Sequence, residues 1–126
     1  MPKKTAIIGL HNFSSGEVLD RLLKSKGIET KVVMDMENMR KEIDSNPNSD
    51  FYFMDINLGK PNTEHVEPAL EVYNRIKHRL EKGEAQFYGI SSNQSALIKA
   101  VEVGIPKKYI FDKNDYKYYE TLGDIE

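Results

Sequence analysis

The chain has no cysteine. That absence excludes disulfide scaffolds, thiolate zinc sites, thioredoxin-type redox chemistry and every cysteine nucleophile, and it fits a reducing compartment. Long hydrophobic runs are also missing. The first apolar stretch, residues 6–10, is too short for the core of a signal peptide and far too short to cross a bilayer. A cytoplasmic protein with no membrane association is therefore expected. Neither sign of charge dominates: 18 Lys+Arg against 20 Asp+Glu give a formal net charge of -2. A general nucleic-acid or membrane-surface binder would carry a basic excess or stripe. Here the basic residues are dispersed, and Lys107-Lys108, the nearest thing to a cluster, reads as a solvated strand edge. There is no internal repeat and no low-complexity tract.

What is present is an ordinary globular composition. With 39% hydrophobic and 30% charged residues, disorder is not expected. The 126 residues suffice for one core and not two, so 1–126 reads as a single domain. No further domain follows Glu126, so the chain is expected to be either stand-alone or a piece of something larger.

Apolar runs alternate with stretches of helical period. Residues 5–10, 30–34, 51–55, 87–90 and 109–111 read as five short strands. Between them, Val18, Leu19, Leu22 and Leu23 form one helical face. Met36, Met39, Arg40 and Ile43 suggest a short second helix. Ala69, Leu70, Tyr73, Ile76 and Leu80 make a third, and Leu97, Ala100 and Val101 a fourth. Ser14 and Glu17 stand at capping-box spacing, Ser91-Ser92-Asn93 caps the fourth helix, and Gly27 and Gly104 stop helices. Residues 56–66, with Gly59, Pro61 and Asn62, read as loop. After Asp115 no sustained apolar face remains, so any fifth helix should be short and frayed.

This alternation predicts an α/β fold: a doubly wound, five-stranded parallel sheet in order 2-1-3-4-5 with helices on both faces. Ile7, Ile8, Leu19, Leu22, Val32, Phe53, Ile76, Ile90, Leu97 and Ile110 are the expected core. Function should lie at the carboxyl ends of the strands. Polar residues gather there: His11-Asn12, Asp35, Asp55, Ser91-Ser92 and Asp112-Lys113. A carboxylate (Asp55), a hydroxyl (Ser91) and an ammonium (Lys113) at one sheet edge suit phosphoryl transfer to an aspartate. The carboxylate attacks phosphorus while the other two groups take up charge on the phosphoryl oxygens.

On these residues the sequence resembles the receiver domains of two-component response regulators, the CheY-like family. The matching segments are Ile7-Ile8-Gly9-Leu10, the FYFMDINL stretch of residues 51–58, Gly89-Ile90-Ser91-Ser92 and Ile110-Phe111-Asp112-Lys113. The resemblance implies a flavodoxin-like receiver fold with a short or absent last helix, and a signalling protein, not an enzyme. Asp55 would be the phosphoacceptor, Ser91 the hydroxyl that reorients toward the phosphoryl group, Lys113 its lysine partner, and Ser92 the small residue that leaves the acceptor accessible. Asp55 and the backbone carbonyl of Asn57 would be Mg²⁺ ligands. Implied partners are a histidine kinase or phosphotransfer protein and a downstream protein, with no nucleic acid.

Three departures follow. The acidic pair that holds Mg²⁺ in the family is replaced by His11-Asn12, so Mg²⁺ is expected to bind weakly or not at all. The loop after Asp55 is long, and Glu64 or Glu67 is a candidate to replace the missing acid, against the alternative of a solvated loop. The stretch 104–113 is slightly long and the last helix is curtailed, which leaves the family's usual output face in question. Three readings therefore stand: a phosphoacceptor with an altered metal site, a phosphorylation-independent pseudo-receiver that acts as an interaction module, or a flavin or nucleotide binder using 12–16 as a phosphate loop. Glu17 in the first turn opposes the last of these.

Overall fold

The computed structural model describes residues 3–59 and 65–125, apart from the side chain of Phe13. Five strands, β1 (Thr5–Gly9), β2 (Glu29–Val33), β3 (Phe51–Asp55), β4 (Gln86–Ser91) and β5 (Ile110–Asp112), form one sheet in the order β2-β1-β3-β4-β5. All four pairings are parallel. Five helices alternate with them: α1 (Phe13–Ser25), α2 (Met36–Ser45), α3 (Glu67–Glu81), α4 (Gln94–Glu102) and α5 (Tyr116–Gly123). A 3₁₀ turn at Lys107–Tyr109 leads into β5. This is the expected doubly wound sheet.

The central strands alternate side chains between two cores, as a strand's two-residue period requires. Ile7, Tyr52, Met54 and Phe87 pack against the α2, α3 and α4 side. Ala6, Ile8, Phe53, Tyr88 and Ile90 pack with Leu19 and Leu23 of α1 and Tyr118 and Leu122 of α5. Phe53 and Tyr88, neighbours on β3 and β4, stack with ring centroids 4.4 Å apart. Gly9 lies against α2, where an added Cβ would stand 2.9 Å from Leu58 Cδ2 and 3.0 Å from Met39 Sδ. The close approach leaves Leu58, just past Asp55, fully buried.

Several expectations need correction. Val32 is 41% exposed, not core. It lies on the edge strand, and the helix beside it presents Gly16, which has no side chain to cover it. Leu22, Leu97 and Ile110 are half-buried at the rims of the two cores. Ser14 and Glu17 do not form a capping box. Asn12 is the N-cap of α1, accepting from the Ser15 N–H at 3.1 Å, and Glu17 pairs instead with Arg21 one turn on. The last helix is short but anchored, because Tyr118 and Leu122, four residues apart, both enter the core. Among the described residues no helix is long and apolar enough to cross a membrane.

Candidate functional site at the carboxyl ends of the strands

A parallel sheet brings the carboxyl ends of all its strands to one edge. At that edge β3, β1 and β4 deliver Asp55, His11 and Ser91 together. Asp55 ends β3 opposite Ile90 of β4, and Ser91 ends β4 opposite Asp112 of β5. The Lys113 N–H then donates to the Ser91 carbonyl at 2.9 Å, which holds the start of the β5–α5 turn beside Ser91. The result is a depression of about 510 Å³. Asp55, Asn57, Ser91 and Lys113 line it together with His11, Asn12, Ser92 and Asn93. All the residues the sequence singled out for phosphoryl transfer meet here.

Asp55 is 4% exposed. A buried carboxylate needs hydrogen-bond donors or neighbouring positive charge. The backbone N–H of His11 supplies a donor, 2.7 Å from Asp55 Oδ2. The His11 ring leans over the same oxygen, with Nε2 3.8 Å away. Nε2 also lies 3.4 Å from Asn57 Oδ1, and the Gly59 N–H approaches Nδ1 at 3.4 Å. A single residue after β1 thus touches Asp55, Asn57 and Gly59. The turn below them is closed by the Leu58 N–H donating to the Asp55 carbonyl at 3.1 Å.

On the opposite wall, Ser91 Oγ accepts from the Asn93 N–H at 3.0 Å, and Asn93 in turn caps α4 by accepting from the Ala96 N–H. Lys113 is half-buried and, among the described residues, makes no ion pair within 4.0 Å. Tyr118 and Tyr88 lie in the core on the α1–α5 side of the sheet. Burial first, then Tyr119 and the Asp55 carboxylate, hold the Tyr118 phenol above its ordinary value. Burial pushes Tyr88 up to about 12. Both stay neutral at ordinary pH.

The donor set does not fit a Mg²⁺ site. Magnesium selects carboxylate oxygens and water in near-octahedral geometry. Among the described residues Asp55 is the one carboxylate lining the depression, and a backbone N–H already holds one of its oxygens. Among the described residues no group of three or more His, Asp or Glu is placed to hold a metal ion. Glu67 opens α3, exposed, with its carboxylate 3.5 Å from His65. Glu64, the other candidate acid, lies outside the described residues.

Sequence reasoning assigned Asn57 through its backbone carbonyl alone and gave Gly59 no part in the site. The structure shows the Asn57 side chain 94% withdrawn from solvent, at 6% exposure, beside His11. It also shows Gly59 turned back at φ 86° with its N–H toward the ring. The glycine in a turn directly after a strand end was the available signal.

No protein-family model matches the sequence, and neither does any curated protein. Solved structures do resemble it. The response regulator receiver protein from Burkholderia phymatum superposes with a TM-score of 0.63 at 17% identity, covering 96% of both chains. The signal receiver domain of a putative LuxO repressor protein from Vibrio parahaemolyticus gives 0.60 at 10% identity, over 98% of this chain and 87% of that one. A fusion carrying part of the yeast Spc42 trimeric coiled coil gives 0.67 at 14% identity, over 98% of this chain and 76% of that one. At such identities the likeness establishes a receiver-like, flavodoxin-type fold.

Proposed function

We propose that the chain is a receiver-like signalling domain of a two-component phosphorelay, with Asp55 as phosphoacceptor. The observation that carries this is the convergence of Asp55, Ser91 and Lys113 on one depression, from three neighbouring strand ends. The resemblance of the fold to structures described as receivers supports it. In the proposed step an Asp55 carboxylate oxygen forms a bond to phosphorus. The bond from phosphorus to the donor's leaving group breaks, and that group departs with the electron pair. Lys113 and the Ser91 hydroxyl take up charge on the transferring oxygens. The domain receives the group and hands a signal on, so it is proposed as a phosphoprotein and not as an enzyme. Its partners would be a histidine kinase or phosphotransfer protein upstream and a protein downstream, in the cytoplasm.

Mg²⁺ is proposed to bind weakly, since one carboxylate replaces the three acids of the family's pocket. The same observation favours a second reading: a pseudo-receiver that keeps the fold and signals without phosphorylation. Intact-mass measurement after incubation with a small-molecule phosphodonor separates them. Gain of a single phosphoryl group by the native chain, and none by Asp55→Asn, is the expected result. An unmodified native chain in both the presence and the absence of Mg²⁺ favours the pseudo-receiver.

A further inference from the structure

The lost acidic pair leaves a question of chemistry: what offsets the charge that gathers when a phosphoryl group meets Asp55. The residue standing in that place is His11, and four contacts define its state. Its main-chain N–H is committed to Asp55 Oδ2 at 2.7 Å. Its Nδ1 faces the Gly59 N–H at 3.4 Å. A ring nitrogen can receive an N–H only if it carries no proton of its own, so this contact matches a ring with its proton on Nε2. That Nε2–H points at Asn57 Oδ1 and Asp55 Oδ2, at 3.4 and 3.8 Å. The 3.4 Å contacts at both ring nitrogens lie beyond the roughly 2.7–3.2 Å of a committed hydrogen bond, so the ring is held loosely on either side. In that tautomer the ring offers an Nε2–H beside the acceptor carboxylate, held loosely by Asn57 Oδ1.

We propose that His11 acts as a neutral Nε2–H donor to a phosphoryl oxygen on Asp55, in place of a metal ion, and that Gly59 fixes the tautomer that makes this possible. The role rests on Asp55 being the phosphoacceptor. An oxygen added at Asp55 gives the ring an anionic partner closer than Asn57. Lys113, which lines the same depression, meets the phosphoryl group as well. The loop after β3 becomes part of the catalytic geometry, because the Gly59 N–H selects which ring nitrogen faces the carboxylate.

Two measurements test this. In the first, nitrogen NMR of the resting native protein reads the tautomer directly, and a bare Nδ1 with a protonated Nε2 is expected. A bare Nε2 overturns the proposal. In the second, phosphodonor labelling is timed in the presence of a chelator. His11→Phe keeps the backbone N–H and much of the ring volume but has no ring donor. Labelling should slow by about 10- to 100-fold, the worth of one hydrogen bond to a charged group. His11→Gln returns a side-chain N–H and should recover to within about fivefold of native. Native labelling with His11→Phe equally fast overturns the role of His11 alone. A native chain that never labels overturns the phosphoacceptor reading and this role with it.

Discussion

At the residue scale the proposed chemistry turns on His11-Asn12, which stand where the family that the sequence resembles carries two acids. A unit charge pair near 4 Å is worth about 4 kcal/mol at an effective dielectric of about 20, so each missing carboxylate weakens a divalent cation by orders of magnitude. The double variant His11→Asp, Asn12→Asp should therefore gain Mg²⁺-stimulated labelling that the native chain lacks, read by intact mass across a magnesium titration. A native protein already saturating at the magnesium concentration that saturates the variant would contradict this. Asp55, Ser91 and Lys113, the groups proposed to act, were legible in the sequence because strand ends fix their positions. The Asn57 side chain and the Gly59 N–H were not, because their part depends on how a turn folds back onto a ring 46 and 48 residues away. Core residues follow the same logic. Ile8→Ala or Ile90→Ala should cost about 2–5 kcal/mol by denaturant unfolding, whereas Val32→Ala on the exposed edge should cost within about 0.5 kcal/mol.

At the element scale, the five strands and the first four helices could be anticipated from alternating apolar runs and helical spacing, while several of their ends could not. Ser14-x-x-Glu17 has the letters of a capping box. Yet the chain enters α1 two residues earlier, at Asn12, and the carboxylate of Glu17 goes to Arg21. Side-chain choice between two nearby caps depends on where the preceding strand releases the chain, which no local pattern encodes. Asn12→Ala should thus cost about 1 kcal/mol of stability, and Ser14→Ala a few tenths at most. Measured unfolding midpoints that rank the two the other way would show the helix start is misplaced. The fifth helix was underestimated for a similar reason. Two apolar residues four apart make a weak periodic signal, and their value comes from the cleft between α1 and the sheet that they fill.

At the scale of the whole molecule, the tightly packed aromatic layer between the sheet and α5 ties stability to alkaline pH. Tyr88 and Tyr118 have raised pKa values in the fold, both from burial first. Tyrosines ionise near 10 in the unfolded chain. Stabilisation from keeping them protonated is therefore complete below that value and is lost as pH climbs from about 10 through the folded values. Denaturant midpoints should fall between pH 9 and 11, and Tyr88→Phe should flatten the fall; an unchanged slope in the variant would remove Tyr88 as the cause.

The proposed function requires that Asp55 of this receiver-like fold accept a phosphoryl group without depending on a divalent metal. The most direct measurement is intact mass after a small-molecule phosphodonor, run side by side with Mg²⁺ and with a chelator, on the native chain and Asp55→Asn. The account predicts one slowly acquired, base-labile phosphoryl group on the native chain, at nearly the same rate in both buffers, and none on Asp55→Asn. Labelling that appears only with Mg²⁺, or that persists in Asp55→Asn, would contradict it.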